Sequence, residues 1–127
     1  MAEILIVEDD TMVRGVLREM LETAGHAVRE AADGDEALRR LGRALAEVAI
    51  IDLFMPGKEG LETIREACGR FPDLKIIAIS GGGERGQLEY LPIAERFGAH
   101  RVLAKPFDRS TLLGAVDDLL ACSQSVH

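Results

Sequence analysis

Four apolar runs in this chain each end in a residue able to do chemistry. Ile4-Leu5-Ile6-Val7 leads into Glu8-Asp9-Asp10, Val48-Ala49-Ile50-Ile51 into Asp52, Ile76-Ile77-Ala78-Ile79 into Ser80, and Val102-Leu103-Ala104 into Lys105-Pro106. Brought to one end of a sheet, these groups make a carboxylate cluster flanked by a hydroxyl and an ammonium. Clustered acids repel, and their charged forms are stabilised only if a cation intervenes. Magnesium takes oxygen ligands and keeps several waters, so a pair of carboxylates and a carbonyl suffices. Such a cation can bring an anionic phosphoryl donor up to an anionic carboxylate. Aspartate can act as the nucleophile, giving an aspartyl phosphate, and phosphoryl transfer asks mainly for in-line positioning and charge neutralisation. Lys105 offers a point charge to phosphoryl oxygens, and Ser80 offers a hydrogen bond.

The elements that must position these residues alternate along the chain. Strand-like segments are expected at Glu3 to Val7, His26 to Ala31, Val48 to Ile51, Ile76 to Ile79 and Val102 to Ala104. Between them, helical spacing links Val13, Val16, Leu17, Met20, Leu21 and Ala24, with Gly25 as a stop. It also links Ala37, Leu38, Leu41 and Leu45, then Leu61, Ile64, Ala67, Cys68 and Phe71 up to Pro72. A fourth helix is expected near Gln87 to Phe97. Asp108 can cap a last one carrying Leu112, Leu113, Val116, Leu119 and Leu120. Alternating strands and helices imply an α/β fold with a parallel sheet covered on both faces. The runs from Ile4, Val48 and Ile76 are apolar throughout and belong at the centre. Val28-Arg29-Glu30 is polar at alternate positions and belongs at an edge. This favours a flavodoxin-like doubly wound five-stranded sheet, order 2-1-3-4-5, with five helices and its site at the C-terminal strand ends. Residues 1–122 are expected to form one domain and 123–127 a frayed tail.

Composition narrows the function classes. At 127 residues the chain can build one real core but not two. A net charge of −7 argues against direct contact with nucleic acid, whose phosphates are held by Lys and Arg clusters. With no Trp and one Tyr, stacking platforms for single strands are hard to build. No apolar run approaches a membrane span, and the N-terminal segment lacks a secretory pattern. With two cysteines, both in helix-like segments, a cytoplasmic location is expected.

Each residue also has an ordinary reading. Asp10 or Thr11 can be a helix N-cap, and Asp10 is read as structural. Asp52 alone would be a strand-end turn residue, and Lys105 alone a solvated charge, although Pro106 and Phe107 anchor its turn. The stretch Gly81 to Gly86 is followed by Gln87-Leu88 instead of the Gly-Lys-Ser/Thr that a P-loop requires. His26, His100 and His127 are read as surface residues.

Taken in order, Ile4 to Asp10, Ile50-Ile51-Asp52-Leu53-Phe54-Met55-Pro56-Gly57, Ile79-Ser80-Gly81 and Ala104-Lys105-Pro106-Phe107 resemble the motifs of the receiver domain of two-component response regulators. The resemblance covers nearly the whole chain. It implies that Asp52 is the phosphoacceptor, served by a sensor histidine kinase or a histidine phosphotransfer protein. It implies a Mg2+ site made by Asp9, Asp52 and the backbone carbonyl of Phe54, with Glu8 assisting through water. Ser80 and Lys105 would bind the phosphoryl group, and the Lys105-Pro106 bond would be cis. Two departures stand out: Val102 occupies a place where the family often has Tyr or Phe, and Ser80 one where it often has Thr.

The expected role is a stand-alone signalling module whose output is contact with a downstream target protein. A relay intermediate or a phosphate sink stays open within that reading. A flavin-binding protein is disfavoured, because Glu8-Asp9-Asp10 would repel the flavin phosphate. A haloacid-dehalogenase-type phosphohydrolase needs an acid two residues after its nucleophile, where this chain has Phe54, so sustained enzymatic turnover is not expected. A metal-free pseudo-receiver would have lost some of Glu8, Asp9, Asp52 or Lys105. With Val102 in place of a ring, the signal is expected to leave through Gly81 to Gly86 and the start of the fourth helix, with Tyr90 and Phe97 as apolar contacts.

Overall fold

The structure is a computed structural model and describes residues 2–53, 60–80, 90–105 and 107–124. Its strands are β1 (Glu3–Val7), β2 (Ala27–Ala31), β3 (Val48–Asp52), β4 (Lys75–Ser80) and β5 (Arg101–Ala104). The helices among the described residues are α1 (Thr11–Thr23), α2 (Gly34–Arg43), α3 (Gly60–Arg70), α4 (Tyr90–Phe97) and α5 (Arg109–Gln124). All strands pair in parallel in the order β2-β1-β3-β4-β5, the order favoured by the apolar pattern. The expected glycine-run switch at Gly81 to Gly86 lies outside the described residues. None of the described helices is long and apolar enough to cross a membrane.

The three central strands bury both faces, which is why they read as unbroken apolar runs. Leu5, Val7, Ala49, Ile51, Ile76 and Ala78 join one core with Ala37, Leu38 and Leu41 of α2 and Ile64 and Ala67 of α3. Ile4, Ile6, Val48, Ile50, Ile77 and Ile79 join the other with Leu17 and Leu21 of α1 and Leu112 and Val116 of α5. Burying each such Ile or Leu is worth roughly 1.5–3 kcal/mol, so the sheet's alternation holds helices on both of its sides.

The helix ends follow from local chemistry. Asp10 caps α1, accepting from the amides of Met12 at 2.9 Å and Val13 at 3.2 Å. Asp33 caps α2 through the Glu36 amide at 2.8 Å. The Asp108 carboxylate accepts the Thr111 amide at 2.8 Å at the start of α5. α1 closes on Gly25, with φ +96°, where the His26 amide reaches Leu21 O and the Gly25 amide reaches Glu22 O. α4 closes in the same way on Gly98, with φ +125°, the Ala99 amide reaching Ala94 O and the Gly98 amide Glu95 O. Both are left-handed closures that satisfy the last carbonyls. A histidine follows each: His26 Nδ1 accepts from the Ala2 amide at 3.1 Å, and His100 Nδ1 accepts from the Ile76 amide at 3.0 Å.

Two apolar residues depart from the periodic reading. Leu45 continues the spacing of α2 but lies beyond its end and is 63% exposed. The backbone turns extended at Ala44 (φ −152°, ψ 117°), so the helical phase stops before Leu45 is reached. Val16 shares α1 with the buried Leu17 and Leu21 yet is 54% exposed, because Leu17 and Leu21, not Val16, face the sheet.

Candidate functional site

The C-terminal strand ends gather the residues that the sequence singled out. β1 delivers Glu8, whose amide extends the pairing with β2 through Ala31 O at 3.1 Å. The capped start of α1 follows two residues later, so Glu8 and Asp9 are held between a strand end and a helix cap. The Glu8 carboxylate accepts the Asp10 amide at 3.1 Å on Oε2, and its Oε1 lies 3.4 Å from Lys105 Nζ. Glu8 is nearly fully buried and Asp9 is exposed.

β3 ends on buried Asp52, in register with Ile79 of β4, and the Leu53 amide bonds Ile79 O at 2.9 Å. α3 begins hard against this strand end. A Cβ on Gly60 would lie 2.2 Å from Asp52 O and 2.5 Å from Leu53 Cα, so only glycine permits that approach. Fully buried Ser80 ends β4, and its carbonyl accepts the Lys105 amide at 2.7 Å, which ties Lys105 to the same strand end.

Carboxylate oxygens of Glu8, Asp9 and Asp52 lie within 4.8 Å of one another. Asp10 stands outside that cluster and serves as the α1 cap, its structural reading. Burial is the main force on Glu8, with the neighbouring Asp52 charge and a hydrogen bond to Asp52 adding to it. These push its carboxyl up to about 7 against the opposing Asp10 amide and Lys105 ammonium. Three gathered carboxylates concentrate negative charge that Lys105 only partly offsets. Hard oxygen donors around uncompensated charge suit a divalent cation of the magnesium type. Phe54 and Pro106 lie outside the described residues. Val102 is half-buried against the core beside α3 and α4, as is Phe97, over whose ring the Arg65 guanidinium sits at 5.8 Å.

Sequence reasoning passed over Arg14. From α1 its Nη1 donates to Glu8 O at 2.8 Å and its Nε to Glu30 Oε1 at 2.6 Å. Glu30 also binds Arg18, and these two guanidiniums, Arg18 first, hold its carboxyl below the usual range. Arg14 thus fixes the backbone of Glu8 through an anchor on β2. The available signal was Glu30 itself, a charged residue on an edge strand one helical turn's reach from two arginines.

The chain matches the family described as response regulator receiver domain over residues 4–117. It is 36% identical over 115 residues to protein-glutamate methylesterase/protein-glutamine glutaminase 2 of Caulobacter vibrioides, covering 90% of this chain and 32% of that protein. It is 34% identical over 119 residues to the DNA-binding transcriptional regulator NtrC of Azospirillum brasilense, covering 94% of this chain and 24% of that one. This chain therefore spans less than a third of either relative. Among solved structures, the receiver domain of NtrX from Brucella abortus superposes with a TM-score of 0.87 at 29% identity, covering 93% of this chain and 98% of that one. A CheY-like receiver domain protein from Methanospirillum hungatei gives 0.85 at 28% identity, covering 96% and 95%. Motif order, strand order and the carboxylate cluster agree with these matches, and the chain belongs to the receiver-domain family of two-component response regulators.

Proposed function

We propose that Asp52 accepts a phosphoryl group from a sensor histidine kinase or a histidine phosphotransfer protein, and that the phosphorylated domain signals by contact with a downstream protein. The observation that carries this is the cluster of Glu8, Asp9 and Asp52 oxygens within 4.8 Å, with Lys105 Nζ 3.4 Å from Glu8. Glu8, Asp9 and Asp52, with the Phe54 carbonyl, would hold Mg2+. When bound, that ion neutralises the carboxylates and phosphoryl oxygens that otherwise repel.

The chain's own residues supply the rest. An Asp52 carboxylate oxygen attacks the donor phosphorus as the bond to the leaving imidazole breaks. Lys105 compensates charge on the transferred group. The Ser80 hydroxyl donates to a phosphoryl oxygen from the end of β4. Glu8 and Arg14 keep the β1 end in place. With Phe54 at the second position after Asp52, the chain has no acid there to drive repeated hydrolysis, so the domain works as a switch and not as a turnover enzyme. A protein partner, not nucleic acid, for this domain's own surface fits its net charge of −7.

Incubation with labelled acetyl phosphate and Mg2+ tests this reading. Acid-stable, base-labile label on wild type and none on Asp52→Asn is the expected result. Undiminished labelling of Asp52→Asn would remove Asp52 from the role.

A further inference from the structure

A second like-charged cluster lies away from the acidic site. Arg29 of β2 and Arg39, Arg40 and Arg43 of α2 line a pocket of about 210 Å³, with Glu36 as its one acid. Both Glu36 oxygens are engaged: Oε1 accepts the Ala32 amide at 2.7 Å, and Oε2 accepts Arg40 Nη2 at 2.9 Å. Arg39 and Arg43 are exposed and form no ion pair among the described residues. Arg29 Nη2 donates to Leu45 O at 3.1 Å, and its Nε, buried without a hydrogen-bond partner, forms a long ion pair with the Glu3 carboxylate at 4.0 Å.

Basic residues at a helix C-terminus complement the helix dipole. That explains Arg40 and Arg43. It does not explain why Arg39 and Arg29 share the same pocket. Guanidiniums crowded around one fully engaged carboxylate call for an anion, by the logic that makes the carboxylate cluster call for a cation. Planar guanidiniums match phosphate oxygens in pairs. The volume falls below the roughly 300–1,000 Å³ of drug-sized ligand sites, which restricts the occupant to a compact group. We propose that this β2–α2 pocket binds a diphosphate group, free or as the end of a nucleoside diphosphate. Arg29 would contribute from β2, and Arg39 and Arg43, one turn apart, from α2.

The test titrates inorganic pyrophosphate into the full chain without magnesium, following arginine Nε signals by nitrogen NMR. Saturable shifts at Arg29, Arg39 and Arg43 are expected. An Arg39→Gln/Arg43→Gln double variant is expected to bind about tenfold or more weakly while staying folded, since both side chains are exposed. ADP forms a second arm. If it binds as pyrophosphate does, a nucleoside diphosphate fits. If it fails where pyrophosphate binds, the ligand is a free diphosphate. Either outcome supports the site. Orthophosphate or sulfate binding as tightly as pyrophosphate, shifts confined to Ser80 and Lys105, or unchanged affinity in the double variant would overturn it.

Discussion

Stripped of divalent cations, the protein is expected to become less stable as the pH rises from about 5 to about 8. Glu8 ionises near 4.5 when exposed and near 7 in the fold, chiefly because it is buried and secondarily because Asp52 lies beside it. Between those values the folded chain holds a proton that the unfolded chain has released. Stability therefore falls with rising pH in this window and levels off above the folded value. At about 1.36 kcal/mol per pH unit, the span from 4.5 to about 7 is worth at most roughly 3.5 kcal/mol. For a domain of this size that is roughly a 10 °C change in Tm. His100 acts in the opposite sense: burial, with Lys75 nearby, lowers its pKa below 6.5, so its contribution is lost as the pH falls. Comparison with Glu8→Gln isolates the effect, since both proteins share His100. Urea unfolding in EDTA should show Glu8→Gln gaining on wild type as the pH rises, by up to that amount. A wild-type-to-variant difference that stays constant across the window would refute the reasoning. Saturating Mg2+ should reverse the order, because a cation favours the ionised carboxylate.

Other perturbations follow from the packing. Arg14→Ala should cost roughly 1.5–3 kcal/mol, read as a lower urea midpoint. Combined with Glu30→Ala it should cost less than the two changes summed; strict additivity would dissolve the coupling. Gly60→Ala drives a Cβ to 2.2 Å from Asp52 O, a clash that no rotamer relieves, so it should exceed the roughly 1–3 kcal/mol usual for overpacking. A variant that unfolds at the wild-type midpoint would contradict that contact. Gly98→Ala meets Cys68 Sγ at 2.8 Å and Cβ at 2.9 Å at a φ of +125°. Adding Cys68→Ala should recover only part of the lost stability, and full recovery would show that the backbone carries no strain.

The sequence made the fold legible because three central strands carry unbroken apolar runs and one edge strand does not. Asp52, Ser80 and Lys105 were readable for the same reason: each ends or directly follows a strand, so placing the strand places the residue. Leu45 misled because its spacing from Leu41 is helical, whereas the turn at Ala44 is a backbone event with no apolar signature. Arg14 and the arginine pocket were hidden for a different reason. Their partners are 16 residues away for Arg14 to Glu30, and on separate elements for Arg29 and Arg39. Charge gathered by folding leaves no run in the sequence. The protonation of Glu8 was likewise out of reach, since it depends on burial and on the distance to Asp52.

The two histidines at the far end of the sheet have a consequence of their own. Accepting through Nδ1 fixes the proton of each neutral ring on Nε2, so both are locked in one tautomer. Protonating the His100 ring sets N–H against N–H and releases the Ile76 amide near the start of β4, the neighbour of the edge strand β5. Acid is therefore expected to loosen the β4–β5 flank of the sheet at its N-terminal pole. The carboxylates sit a strand length away, about 17 Å, beyond a Debye length at physiological salt. The molecule thus has two distant poles, one where an imidazole holds a strand amide and one where carboxylates gather.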